Sequence, residues 1–103
     1  MSESPRPNDR VVVAVIRSGG IAGLRRRWLI ETAAENDEAA AWIARIERCP
    51  WDADLDTDRG ADRFVWTIRA RTPSEQRERE IPDGALDGPW LELVEAVRAA
   101  ARS

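Results

Sequence analysis

Residues 11–16, Val-Val-Val-Ala-Val-Ile, constrain this chain more than any other segment. A run so rich in β-branched side chains disfavours helix, because these residues lose rotamer freedom against the preceding helical turn. The spacing predicts a strand, and its unbroken apolarity predicts cover on both faces. Ser18-Gly19-Gly20 follows and offers the positive φ that a tight turn demands. From Leu24 to Glu31 the pattern alternates: Leu24, Arg26, Trp28 and Ile30 share one face, and Arg25, Arg27, Leu29 and Glu31 share the other. Two strands joined as a hairpin follow from this, with a connection longer than the minimum.

The remaining elements read in chain order. Asn36 or Asp37 caps a helix reaching about Arg48, with Ala39, Trp42, Ile43 and Ile46 as its apolar stripe, and Pro50 ends it. Phe64, Trp66, Ile68 and Ala70 alternate with Val65, Thr67, Arg69 and Arg71, which predicts a third strand. Thr72-Pro73-Ser74 is a turn. The charged return "EQREREI" is an edge strand whose charges discourage sheet-to-sheet association. A last helix starts at Asp87 or Gly88, with Pro89 at its first position and Trp90, Leu93, Val94 and Val97 buried. The expected fold is therefore α+β: two layers, a mostly antiparallel four-stranded sheet with two helices, in the order β-β-α-β-β-α. Residues 1–9, polar with Pro5 and Pro7, read as a disordered tail before a single domain at 10–103.

Composition narrows the chemistry. With 16 basic and 19 acidic residues the net charge is -3, which argues against a nucleic-acid partner. The absence of His removes Ser-His-Asp and Cys-His pairings and imidazole metal ligands. A single cysteine, Cys49, forms neither an internal disulfide nor a thiolate cluster, and at a helix C-terminus it reads as a small buried filler. No apolar run spans a bilayer, and the N-terminus carries no secretory signal, so no membrane and a cytoplasmic location are expected. No enzyme, no catalytic residue, no metal and no cofactor is expected.

Three segments could still carry a site. Asp52, Asp54, Asp56 and Asp58 alternate as calcium ligands do. The helix-loop-helix calcium pattern needs Gly sixth and Glu twelfth. Counting from Asp52 these places hold Thr57 and Arg63, and from Asp54 they hold Arg59 and Val65. The loop at 52–62 is therefore read as solvated, and carboxylate chemistry from Asp54 and Asp62 lacks a reason to bring the two together. Arg25, Arg26 and Arg27 divide between the two faces of a strand, and Arg69 and Arg71 face Glu78 and Glu80 as cross-strand ion pairs. The turn explains Gly19 and Gly20 but not the apolar Ile21 and Leu24, which either fold back on the core or enter a partner's pocket.

Taken together, "VVVAVIRSGGIAGLRRRWLIE", "DRFVWTIRA" and "WLELVEAV" resemble the emfourin family. The specific part is Arg17-Ser18-Gly19-Gly20-Ile21-Ala22-Gly23-Leu24 behind a valine-rich strand. The resemblance implies a proteinaceous inhibitor of thermolysin-like zinc metallopeptidases, with protealysin as the family's reference target. It implies reversible steric occlusion of the active-site cleft, with a thermolysin-like metallopeptidase as partner. Turn chemistry puts the contact at Ser18, Gly19, Gly20, Ile21, Ala22, Gly23 and Leu24, with Ile21 as the aliphatic anchor. Thr72, Pro73 and Ser74 join it if both turns lie at one end of the sheet. The rival is a protein-interaction domain that binds another partner through the same hairpin or a sheet face, and the apolar Val11–Ile16 run also fits a homodimer.

Overall fold

The computed structural model describes residues 10–19, 25–53 and 64–102. The expected tail at 1–9, the Gly20–Leu24 connection and most of the acidic loop, including Asp54 and Asp62, lie outside the described residues. Six principal elements follow one another: β1 (Arg10–Gly19), β2 (Arg26–Ala33), α1 (Asp37–Arg48), β3 (Phe64–Arg71), β4 (Gln76–Pro82) and α2 (Gly88–Arg102). A single 3-10 turn, Asp83–Ala85, links β4 to α2. The order is β-β-α-β-β-α and the fold is α+β.

The valine run sits where its composition suits it best, in the middle of the sheet. The strand order is β2-β1-β3-β4 and every pairing is antiparallel. Val15 lies between Trp28 and Ile68, and Val13 between Ile30 and Ala70. Val11, Val13 and Val15 thus share one face with Trp28, Trp66, Ile68, Ala70 and Ile81, and all of them are buried. The stripes of α1 (Ala39, Trp42, Ile46) and α2 (Trp90, Leu93, Val94, Val97) close over the same face. A fully buried Val, Leu or Ile contributes roughly 1.5–3 kcal/mol relative to exposure, so this layer supplies most of the stability.

Two-sided cover of Val11–Ile16 does not hold. Val12, Ala14 and Ile16 point to the opposite face, where neither α1 nor α2 packs; Val12 and Ile16 are half-buried there. Both helical stripes are used on the first face, so among the described residues the second is shielded only by its own long side chains. Arg27, Leu29, Arg69 and Arg71 surround a shallow concavity over Val12 and Ala14, which leaves Ala14 only 6% exposed. The Arg stems cover apolar surface while their charged ends stay in water. On this face Arg69 pairs with Glu78 at 3.4 Å, the expected cross-strand pairing, whereas Arg71 stands opposite Gln76.

Chain ends of the helices are closed locally. Asn36 accepts the Glu38 N–H at 3.2 Å, capping α1. At the end of α1 the Ile46 carbonyl accepts both the Cys49 backbone N–H at 3.2 Å and the Trp51 indole N–H at 2.8 Å. Gly88 opens α2 at φ 56°, a conformation that a side chain makes costly. Arg48 and Glu92 join the two helices at 2.9 Å, but both are more than half exposed, so the pair contributes little.

Cys49 lies buried where α1 ends, its thiol directed at the carbonyls of Arg45 and Pro89 at 3.4 and 3.5 Å. Burial pushes the thiol up from 9.0 to about 11, against a smaller pull downward from Arg48. The thiolate is the reactive form, so at pH 8 Cys49 reacts with Ellman's reagent far more slowly than in the urea-unfolded chain. Rapid labelling in the folded state would contradict this placement. In urea unfolding, Leu93→Ala lowers stability by about 2–5 kcal/mol through the cavity it leaves. Gly88→Ala, where a Cβ meets no atom within 4 Å, loses only the backbone term of about 1–2 kcal/mol.

Candidate functional site

One end of the sheet gathers the sequence features that the core does not need. β1 finishes there at Gly19, opposite Phe64, where β3 begins. Pro82 at the end of β4 pairs with Val65, and Arg26 near the start of β2 pairs with Arg17. Gly19 is exposed with φ 111°, which accounts for the first glycine of the pair: a side chain is disfavoured in that region. Ser18 is half-buried on the open face, its hydroxyl 3.5 Å from the Val65 carbonyl that it faces as donor.

The other suggested contact, Thr72-Pro73-Ser74, lies at the opposite end. Val12 pairs with Arg71 and Gly19 with Phe64, so the β3–β4 turn sits seven residues of strand away from Gly19. At about 3.3 Å per residue that is roughly 23 Å. The condition for the two turns to act together is therefore not met: antiparallel pairing of β1 with β3 sends their C-terminal ends in opposite directions. Thr72 is also buried at 8% exposure and occupied. Its backbone N–H donates to the Glu75 carbonyl at 2.8 Å, and its hydroxyl oxygen accepts the N–H groups of Ser74 and Glu75 at 3.3 and 3.1 Å. This turn organises itself.

Beneath the Gly19 end the structure builds an aromatic base. Register places Arg26, Arg17 and Trp66 in one row on the helix-covered face, with Trp28 in the next row beside Val15. The Trp28 and Trp66 rings stack with centroids 6.1 Å apart and planes 23° from parallel. The Arg17 guanidinium sits 4.7 Å from the centre of Phe64, 5.8 Å from Trp66 and 5.9 Å from Trp28. Such contacts are worth about 0.5–1 kcal/mol each when exposed and more when dry. The Trp66 indole N–H donates to Asp83 at 2.9 Å, tying β3 to the turn after β4. From the sequence Arg17 was read only as the start of the family motif, not as a site residue, and Asp83 was not singled out. The signal for Arg17 was present, since it continues the odd-numbered core face of Val11, Val13 and Val15.

These groups form a packed aromatic and cationic base beneath the exposed Gly19. Among the described residues no three His, Cys, Asp or Glu side chains could hold a metal ion, and none of the helices is long and apolar enough to cross a membrane. The family model named Emfourin matches residues 15–98, from the middle of β1 through most of α2. The chain belongs to the Emfourin family. No curated protein and no solved structure matches it. Emfourin membership suggests a protease-inhibitor role and, in general terms, a metallopeptidase partner; an inhibitor family is consistent with a non-enzyme.

Asp83→Ala in this emfourin-family chain leaves the buried Trp66 indole without its acceptor. It lowers stability by about 1–2 kcal/mol in urea unfolding and speeds hydrogen exchange at the Trp66 indole. Wild-type exchange and stability in that variant would mean the bond does not tie β3 to the following turn.

Proposed function

We infer that this chain inhibits thermolysin-like zinc metallopeptidases by reversible steric occlusion of the active-site cleft, with no cofactor and no covalent step. The observation that carries the reading is the Emfourin match, which runs through the whole Arg17–Leu24 motif. The packed base beneath Gly19 supports it. Association costs several kcal/mol in lost freedom, and a base already held by aromatic stacking adds little ordering cost. A standard inhibitor contact covers about 800 Å² on each partner, within reach of one sheet end and its hairpin connection.

Contact through Ser18, Gly19, Gly20, Ile21, Ala22, Gly23 and Leu24 is part of this proposal, with Ile21 as the side chain that fills an aliphatic pocket in the enzyme. Pro73 and Ser74, about 23 Å from Gly19, are left out of that contact. The reading places the chain in the cytoplasm, where a single buried thiol such as Cys49 stays reduced.

A second reading has its own observation. The uncovered sheet face carries Val12, Ala14, Ile16 and Leu29, and Leu29 is 44% exposed. That face suits a protein-interaction domain or a homodimer. Leu29→Arg separates the readings: it leaves inhibition unchanged if the Gly19 end does the work, and abolishes association if the face does.

The direct test is Ile21→Arg. Inhibition of a thermolysin-type enzyme weakens by about 30-fold or more, the scale of an interface anchor, while the melting temperature stays at the wild-type value. Undiminished inhibition by the Ile21→Arg protein would exclude Ile21 as the anchor.

A further inference from the structure

Beside the Gly19 end, three arginines converge on one ring. Arg98 of α2 lies 4.9 Å from the centre of the Trp28 indole, Arg26 of β2 lies 5.3 Å from it, and Arg17 of β1 lies 5.9 Å from it. Four arginines elsewhere find carboxylates: Arg10 holds Glu31, Arg48 holds Glu92, Arg69 holds Glu78 and Arg77 holds Glu75, while Arg79 donates to the Pro50 and Trp51 carbonyls. Around Trp28, no acid among the described residues forms an ion pair with any of the three. Asp83, the acid that touches this aromatic group, is engaged by the Trp66 N–H. The Nε of Arg98 is buried and has no hydrogen-bond partner.

A guanidinium held against an aromatic ring keeps its charge, and those of its N–H groups that reach solvent match a carboxylate bidentately. Arg26 and Arg25 are exposed at the same end, which adds charge of the same sign. Among the described residues no ion pair holds the guanidiniums of Arg17, Arg26 and Arg98, so a chain of net charge -3 gathers positive charge at this end. We propose that the Arg17, Arg26 and Arg98 group around Trp28 is a docking patch for carboxylates on a protein partner. It steers the Gly19 end onto an acidic surface. This rests on the inhibitor reading for the identity of that partner, the metallopeptidase, but the patch can be tested without it.

With thermolysin as probe enzyme, Arg26→Gln and the Arg26→Gln/Arg98→Gln double variant slow the onset of inhibition about three- to tenfold at low salt, and the gap closes at high salt. Arg27→Gln and Arg48→Gln remove the same charge from the open face and from α1, and they leave the onset unchanged. Equal slowing by all these variants, or a difference that ignores salt, overturns the patch. An independent arm titrates hexaglutamate peptide against ¹⁵N-labelled protein. The Trp28 indole signal shifts saturably, and Arg26→Gln weakens the shift. An equal response to sulfate marks a small-anion site and overturns a protein carboxylate as occupant, as does no response to either probe. A normal peptide titration beside a wild-type chain that inhibits no metallopeptidase would overturn the inhibitor reading and keep the patch.

Discussion

Everything in this molecule depends on β1 holding its register between two strands. Side chains along a strand alternate, so a slip by one residue would turn Val11, Val13 and Val15 away from the helices and bring Val12, Ala14 and Ile16 under them. The pairing is specified from both sides. Trp28 on β2 and Ile68 on β3 both face Val15, and a misplaced register would have to bury Arg27 and Arg69 in their stead. Burying either guanidinium without a partner is costly, whereas the correct pairing leaves both in water. The same register places Arg17 between Arg26 and Trp66, one row from Trp28, so the strand that builds the core also builds the base of the candidate binding end.

Fold and site were legible to different degrees, and the reasons are physical. Alternation in β2 and β3 and the three- and four-residue spacing in α1 and α2 are local signals; the elements form where those signals lie, with Asn36 capping α1 as its side chain allows. The uniform apolarity of residues 11–16 misled. A fully apolar strand and a strand with one face shaded by neighbouring arginine stems look identical until the sheet order is known, and Arg27, Arg69 and Arg71 supply that shade. The Thr72 turn illustrates the same gap. Its hairpin chemistry was local, but its distance from Gly19 is set by how β1 pairs with β3, across 47 residues at Ser18 and Val65.

The aromatic residues divide the labour between core and surface. Trp90 is buried in the centre and meets Trp51 edge to face at 4.8 Å, a packing role alone. Trp28 and Trp66 are nearly as buried, yet their outer margins carry arginines. That arrangement lets a small domain place positive charge beside its exposed end without leaving the charges on floppy stems.

The order of strands in the sheet also sets a timetable for assembly. β1 and β2 are neighbours in the chain and can meet as soon as both exist, but the other edge of β1 stays open until β3 arrives. During synthesis the most valine-rich strand therefore stands with unpaired backbone groups while α1 and the residues up to Phe64 are made. A chain stopped before Phe64 would keep that edge permanently bare, which invites strand addition from other copies. Completion of the sheet, rather than of the first hairpin, is what turns this segment from a hazard into a core.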